Sequence, residues 1–221
     1  TITGGSGNDT VYGGAGDDTV VVSAGTDVLD GGAGTNILDF SNLDTAATLN
    51  LITSTASQGG GSSTYTNFSN FILSGQVDNI ITDGVDAVTV NAGAGVSDSV
   101  VYNGAGGVSL TIAGTVGTLG SNTINDAEAF TLNSGADTIS TDGSAVTIDA
   151  SGGSDTVAYT GVGAASLSLT GTSGSFGADT IANVETYTLT GSNDTITTNA
   201  SGGVTVNAGA GVSDSVVYNG A

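Results

Sequence analysis

Residues 4–21 read GGSGNDTVYGGAGDDTVV, which is two nine-residue words placed end to end. Residues 22–39 add VSAGTDVLD and GGAGTNILD, so that four such words follow one another. The words share the pattern G-G-x-G-x-D-x-U-x, where U is apolar, except for Val22 and Ser23 in the third word and Asn36 in the fourth. Glycine adopts positive backbone dihedrals without a side-chain penalty, so the pattern predicts a tight turn that carries a carboxylate and leads into a short strand.

The charge of the chain makes these carboxylate turns unusual. The 221 residues include 21 acidic residues and no lysine, arginine or histidine, which gives a formal net charge of −21. Stacked turns bring like charges to within about 5 Å of one another, so the carboxylates repel unless a cation lies between them. Because the chain has no cationic side chain, the sequence predicts that the neutralising cation comes from outside.

The composition also excludes several classes of partner and activity. The chain has no cysteine and no histidine, so only oxygen ligands remain, and these suit a hard cation such as calcium. A surface without lysine or arginine cannot neutralise phosphates, so we expect no nucleic-acid binding and no attraction to anionic membranes. No stretch reaches the roughly 20 apolar residues of a membrane span, so we expect no membrane insertion. General bases and activated nucleophiles usually need His, Lys or Cys, so we expect no enzyme activity.

An internal repeat decides the architecture of the rest of the chain. Residues 88–105 and 204–221 both read VTVNAGAGVSDSVVYNGA, 116 positions apart. Related segments begin at Val146, midway between them, and at Asp27, 61 residues before Val88. Self-similarity at this spacing is typical of a solenoid. We expect one continuous solenoid, with a nonapeptide roll over 1–39 and a degenerate solenoid over 40–221. The predicted repeats of the latter part are about 27–87, 88–145 and 146–203, with a partial repeat over 204–221.

Two kinds of short apolar run recur within each 58-residue period. One kind follows an Asp or Asn, as in residues 97–100, and the other alternates apolar residues with Thr or Ser, as in residues 88–90. Apolar residues at every second position favour strands with one buried face, and coils of about 19 residues are too short to enclose a helix. We therefore predict an all-β fold, a parallel β-roll or β-solenoid. It would have two short strands per coil and three coils per repeat, with each strand pairing with its counterpart one coil away.

The four nonapeptide words resemble the calcium-binding repeat of the repeats-in-toxin (RTX) family. The resemblance implies a right-handed parallel β-roll, in which calcium lies between loops on the same side of adjacent coils. The sixth position of each word would then face its counterpart one coil away, and the glycine loops would expose carbonyl oxygens to calcium, which takes about six to eight oxygen ligands. The implied metal ligands are the pairs Asp9 with Asp27 and Asp18 with Asn36, and the loop glycines Gly4, Gly7, Gly13 and Gly16.

Beyond residue 39 the strict nonapeptide is lost, but acidic residues still stand at related loop positions. These residues have two interpretations, which the sequence leaves open. They are second-rank calcium ligands, or they cap turns by accepting hydrogen bonds from nearby backbone N–H groups. The residues concerned are Asp98, Asp137, Asp155, Asp179, Asp194 and Asp214, whereas Asp30 is predicted only as a second-rank calcium ligand.

The resemblance and the calcium argument together predict a function based on shape. We expect a non-enzymatic, calcium-stabilised structural segment of a secreted bacterial cell-surface protein, such as an S-layer protein, an adhesin stalk or a matrix filament. Its expected partners are calcium ions and further copies or repeats, stacked end to end or in a lattice, because open strand edges pair with other strands. The alternative is an ice- or carbohydrate-binding module of an adhesin, for which outward threonine rows would form a flat ladder. These rows include Thr89, Thr111, Thr131, Thr147, Thr188 and Thr205.

Overall fold

The computed structural model describes residues 1–199 and 201–220, and this part of the chain contains 26 short β-strands and no helix. The all-β prediction is therefore confirmed. In chain order the strands are β1 (Ile2–Thr3), β2 (Thr10–Tyr12), β3 (Thr19–Val21), β4 (Val28–Asp30), β5 (Ile37–Asp39), β6 (Ala47–Asn50), β7 (Thr55–Gln58), β8 (Gly61–Thr66), β9 (Asn70–Ile72), β10 (Asn79–Thr82), β11 (Thr89–Asn91), β12 (Ser99–Tyr102), β13 (Ser109–Ala113), β14 (Val116–Leu119), β15 (Asn122–Asn125), β16 (Ala129–Thr131), β17 (Thr138–Thr141), β18 (Thr147–Asp149), β19 (Thr156–Tyr159), β20 (Ser166–Thr170), β21 (Ser173–Phe176), β22 (Asp179–Ala182), β23 (Thr186–Thr188), β24 (Thr195–Thr198), β25 (Thr205–Asn207) and β26 (Ser215–Tyr218).

The chain divides into two compact units. The first comprises Thr1–Tyr102 and Ser121–Glu128, and the second comprises Asn103–Gly120 and the chain from Ala129 onward. The strands of each unit form two sheets, and successive strands alternate between the two sheets except at hairpins. The organisation into a nonapeptide roll over 1–39 and one continuous solenoid to residue 221 stays a prediction.

The first unit is a parallel β-roll. One sheet has the order β1-β3-β5-β9-β11-β15 and is parallel throughout. The other has the order β2-β4-β8-β7-β6-β10-β12 and is parallel except where β7 pairs with its two neighbours. In the nonapeptide words Ile2 pairs with Val20 and Val11 pairs with Leu29, so one coil takes 18 residues. The predicted β-roll is confirmed, and the nine-residue word is half of one coil.

A three-stranded antiparallel meander interrupts the spiral in both units. In the first unit β6, β7 and β8 follow one another in a single sheet, so Val28 of β4 pairs with Thr64 of β8, 36 residues later. In the second unit β20, β21 and β22 form the same meander. The prediction of three coils with two strands each is wrong at these places. The repeat over 146–203 contains seven strands, β18 to β24, because one half-coil holds three strands instead of one.

The second unit follows the same plan. One sheet has the order β14-β13-β17-β19-β23-β25, and the other has the order β16-β18-β22-β21-β20-β24-β26. We predicted that each strand pairs with its counterpart of the same kind, and β17 with β19 and β24 with β26 do so. However, β19 pairs with β23 and not with its predicted counterpart β22. The number of strands per repeat is odd, so β22 lies in the opposite sheet from β19.

The core of each unit is a column of apolar side chains that are register neighbours. In the first unit Val20, Leu38, Phe71, Val90 and Ile124 lie one above another on consecutive strands, and none is more than 2% exposed. A matching column in the second unit runs through Leu110, Ile139, Val157 and Tyr187, which are fully buried. The alternating burial of the strands results from this column, because every second side chain of a strand points into the core.

The threonines predicted to form one outward ladder lie on several. Thr89 belongs to the first unit, Thr131 and Thr147 occupy neighbouring strands but are out of register, and Thr205 pairs with Thr186 instead of Thr188. A different column is in register on one sheet of the second unit. Its members are Ser109, Thr138, Thr156, Thr186 and Thr205.

Candidate metal centre

The four sixth-position side chains come together in two pairs, as the nonapeptide spacing predicts. The backbone N–H of Asp9 donates a hydrogen bond of 3.0 Å to Asp27 Oδ1, and the N–H of Asp18 donates one of 2.9 Å to Asn36 Oδ1. Each of these bonds connects residues 18 positions apart. The two loops of each pair therefore lie on the same side of adjacent coils.

The first glycine of a word leaves room for the sixth side chain. A Cβ atom added at Gly4 would lie 2.6 Å from Asp9 Oδ2, and one at Gly13 would lie 3.0 Å from Asp18 Oδ2. Real Cβ atoms do not approach other atoms so closely, so each carboxylate lies directly over a bare glycine Cα. The glycine at the fourth position allows the coils to stack closely, because the carbonyl oxygen of Gly7 lies against the Cα of Gly25. The glycines of the motif thus allow carboxylates and carbonyl oxygens to lie close together.

We call the place where two stacked loops meet a corner of the roll. The corner formed by Asp9 and Asp27 has a carboxylate oxygen without a hydrogen-bond partner. Asp9 Oδ2 is buried and accepts no hydrogen bond, whereas Asp27 Oδ2 accepts one of 3.4 Å from Ser63 Oγ. No three carboxylates in residues 1–199 and 201–220 are close enough to hold a metal by themselves. A cation at this corner would therefore depend on two carboxylates and on the carbonyl oxygens of the glycine loops, which is a donor set that suits calcium.

The corner formed by Asp18 and Asn36 differs from it. Asn36 Nδ2 donates to the carbonyl oxygens of Gly32 at 3.3 Å and Asn67 at 3.0 Å. The amide group thus satisfies carbonyl oxygens that an aspartate at this position would leave free for a cation. Asn36 replaces a charge by two hydrogen bonds, and this corner is less suited to calcium than the corner at Asp9.

Comparison with known proteins agrees with this geometry. Residues 3–38 and 132–161 match the family model of the RTX calcium-binding nonapeptide repeat (4 copies). The chain carries RTX repeats. No curated protein matches the chain. RTX repeats are calcium-binding motifs, so calcium is the cofactor of these segments, and the unpartnered oxygen of Asp9 is consistent with it. The second matched segment includes Asp137 and Asp155, which the sequence had placed only in the second rank.

The second-rank aspartates all accept backbone N–H groups, but only Asp30 caps its own turn, and the other six accept from residues 18 to 33 positions away in the sequence. Asp30 accepts from the N–H of Gly32 at 2.9 Å and from Asn67 Nδ2 at 2.7 Å, and these two bonds lower its pKa, with Asn67 as the larger cause. The other six each accept one backbone N–H through Oδ1. These hydrogen bonds run from the N–H of Asp78 to Asp98 (2.7 Å), of Val108 to Asp137 (2.7 Å), of Asp137 to Asp155 (2.8 Å), of Val146 to Asp179 (3.0 Å), of Ala165 to Asp194 (2.6 Å) and of Asp194 to Asp214 (2.9 Å).

The second carboxylate oxygen separates these aspartates into two groups. Oδ2 of Asp98, Asp137 and Asp155 is buried and accepts no hydrogen bond. In contrast, a threonine hydroxyl donates to Asp179, from Thr141, and to Asp194, from Thr190. A buried carboxylate with an unpartnered oxygen is costly unless a proton or a cation compensates it, so the first group is the better calcium candidate.

Three further acidic residues occupy the same structural position, and the sequence reasoning missed them. Asp78 is fully buried and accepts the N–H of Ala47 at 2.6 Å. Glu128 Oε2 accepts the N–H of Asp98 at 2.8 Å, and Glu185 Oε2 accepts the N–H of Asp155 at 2.8 Å. Asp78 was detectable, because it precedes Asn79-Ile80 as Asp137 precedes Thr138-Ile139.

Burial raises the pKa of several of these carboxyl groups. The pKa of Asp98 rises to about 6, mainly because of burial and further because Asp78, Glu128 and Asp126 are negative neighbours. The pKa values of Asp137 and Asp155 rise for the same principal reason, with Asp155 and Glu185 respectively as the charged neighbours. In the metal-free chain burial therefore shifts the protonation equilibrium of these groups towards the neutral form, and a bound cation would oppose that shift.

The described residues include no helix that is long and apolar enough to span a membrane.

Proposed function

We propose that the chain is a non-enzymatic structural segment whose coils are held together by calcium. The observation that carries the proposal is the corner at Asp9, where a carboxylate with an unpartnered oxygen lies one coil from Asp27 in a chain without any cationic side chain. Calcium at such corners converts the repulsion between coils into attraction. The role we propose for the glycines Gly4, Gly7, Gly13 and Gly16 is to bring carbonyl oxygens to the ion.

We further propose that the segment belongs to a secreted protein of a bacterial cell surface, such as an S-layer protein, an adhesin stalk or a matrix filament. Weak calcium sites fill at the millimolar calcium concentrations found outside cells and stay empty at cytosolic concentrations. The chain has 21 carboxylates and no cationic side chain, which supports a location where divalent ions are abundant.

The exposed strand edge of the second unit supports self-association. β26 pairs with β24 and with no other strand of the described residues, and Val216 is 67% exposed. Val100 occupies the same place in the identical sequence of the first unit and is 1% exposed. Beside β26 lies a groove of about 400 Å³ that Leu169, Ile196 and Val206 help to line. A second copy or a further repeat of a longer chain would continue both sheets and cover these apolar side chains.

Electron microscopy of the purified chain tests this role. In millimolar calcium we expect rods or stacked assemblies longer than one chain, because calcium orders the coils and the open edges then pair. In excess chelator we expect these assemblies to disappear. Monomeric particles of one chain length in saturating calcium would contradict the self-association, and identical images with and without chelator would contradict the calcium dependence.

An ice- or carbohydrate-binding module remains the second candidate function. The observation in its favour is the register column of Ser109, Thr138, Thr156, Thr186 and Thr205, which presents uncharged hydroxyl groups about 4.8 Å apart. Threonine also suits any exposed strand position, which is why the structural role comes first. Thermal hysteresis of the purified chain distinguishes an ice-binding face from a structural one.

A further inference from the structure

The chain contains two glutamates, and both occupy the same position, one in each unit. Glu128 and Glu185 are 57 residues apart in sequence, and both precede a short strand. In both units the N–H that donates to the glutamate carboxylate belongs to a buried aspartate, Asp98 or Asp155, at the same distance of 2.8 Å. Every other acidic residue of the chain is an aspartate.

Each glutamate ends a column of three stacked carboxylates. In the first unit the column is Asp78, Asp98 and Glu128, and its hydrogen bonds run from Ala47 N–H to Asp78, from Asp78 N–H to Asp98, and from Asp98 N–H to Glu128. In the second unit the column is Asp137, Asp155 and Glu185, and it begins at the N–H of Val108. The two columns have the same order of residue types, and only the first N–H donor differs, Ala47 in one column and Val108 in the other.

The middle aspartate of each column has an oxygen that nothing in the protein satisfies. Asp98 and Asp155 are both 0% exposed, and Oδ2 of each is buried without a hydrogen-bond partner. The nearest charged groups are carboxylates, and the sequence has no lysine, arginine or histidine to compensate them. A buried anion of this kind needs a compensating charge from solution.

A bare glycine lies beside each of these aspartates. A Cβ atom added at Gly95 would contact both carboxylate oxygens of Asp98, at 2.5 and 2.6 Å, and also the carbonyl oxygen of Gln76. A Cβ atom at Gly153 would lie 3.1 Å from Asp155 Oδ1 and would also meet the carbonyl oxygen of Gly135. At both places a main-chain oxygen of one coil and a carboxylate of the next face the same small space, as they do at Gly25 beside Asp27.

We propose that Glu128 with Asp98, and Glu185 with Asp155, each hold one divalent, oxygen-preferring cation, so that the glutamates act as cation ligands that the nonapeptide pattern does not include. The inference rests on the proposed calcium-stabilised function, and it adds the glutamate to the ligands of that kind of site. The N–H to carboxylate hydrogen bond spans 30 residues in both columns.

Calorimetric titration with calcium tests the proposal through the number of bound ions. Glu128→Gln and Glu185→Gln keep an oxygen that accepts the aspartate N–H but remove the charge. We expect each variant to bind one ion fewer than the wild type, and the double variant to bind two fewer. Asp44→Asn removes one charge from an exposed position and is the matched control, for which we expect the wild-type count.

A double glutamate variant that binds as many ions as the wild type would overturn the proposal. Asp27→Asn separates this failure from a failure of the proposed function, because it alters the nonapeptide corner alone. If Asp27→Asn lowers the count and the glutamate variants do not, the calcium-stabilised function stands and this inference falls. If the wild type binds no calcium, both fall.

A second measurement does not depend on the variants folding. Selective ¹³C labelling of the glutamate carboxyl carbon gives two side-chain signals in the wild-type chain, since there are two glutamates. If both carboxylates ligate calcium, both signals must move when calcium is added at constant pH, because a bound cation changes the charge distribution of the carboxylate. Glutamate signals that saturating calcium leaves unchanged would overturn the proposal.

Discussion

Removal of calcium by a chelator is expected to lower the melting temperature of the chain by roughly 20 °C or to abolish its folded state. A ligand that binds only the folded state at 100 times its dissociation constant contributes about 2.7 kcal/mol per site. Three corners of the kind found at Asp9, Asp98 and Asp155 would together contribute about 8 kcal/mol, which is comparable with the whole stability of a typical domain, about 5–15 kcal/mol. For a chain of this size 1 kcal/mol corresponds to about 2–4 °C.

Circular dichroism during heating measures this effect, with one sample in excess calcium and one in excess chelator. A third sample in chelator and sodium chloride at matched ionic strength is the control. Salt alone screens the repulsion among 21 carboxylates but does not bridge two of them. A melting curve that is the same in calcium and in chelator would show that the coils close without an ion.

Replacement of Gly61 by alanine is expected to destabilise the first unit by about 3 kcal/mol, with a fall in melting temperature of roughly 6–12 °C. Gly61 begins β8, which pairs with β4 across the first meander. A Cβ atom at this position would overlap the carbonyl oxygen of Gly25 on the neighbouring coil. The two coils must move apart to admit the methyl group. This movement would also weaken the 3.0 Å hydrogen bond from Asp27 N–H to Ser63 Oγ.

Gly75→Ala is the matched control for this substitution. A Cβ atom at Gly75 would have no neighbour within 4 Å, so the same change of residue type meets open space. We expect its melting temperature in calcium to stay within the range of ordinary surface substitutions, about 0.5 kcal/mol in either direction. Equal melting temperatures for the two variants would show that the stability of the first unit does not depend on the close contact between Gly61 and the neighbouring coil.

The coil and its core were predictable from the sequence because their signals are local. Alternating residues such as Val88-Thr89-Val90 predict strands, and the 18-residue step from Asp9 to Asp27 places two loops on the same side of the roll. The meanders were not predictable, because their middle strands carry little apolar alternation. β7 reads TASQ and β21 reads SGSF. Polar segments of this kind become strands through pairing with their neighbours and not through their own propensity.

The same meanders explain which parts of the candidate site were missed. The pairing of Asp9 with Asp27 follows from one fixed coil length. The N–H of Asp78 donates to Asp98 across 20 residues, and the N–H of Asp98 donates to Glu128 across 30, since a longer half-coil intervenes. No constant spacing connects these three residues. The chemistry of Asn36 was visible as a departure from the pattern, but one of its two hydrogen bonds to carbonyl oxygens goes to Asn67, 31 residues away.

Anomalous diffraction from crystals grown in calcium tests most directly whether ions lie in the corners between coils. We predict a calcium peak within coordination distance of Asp9 and Asp27, and no peak beside Asn36, whose amide already satisfies the carbonyl oxygens there. Ordered corners in which the oxygens of Asp9, Asp27 and their glycine loops surround no ion, at saturating calcium, would contradict the central claim that calcium holds the coils together.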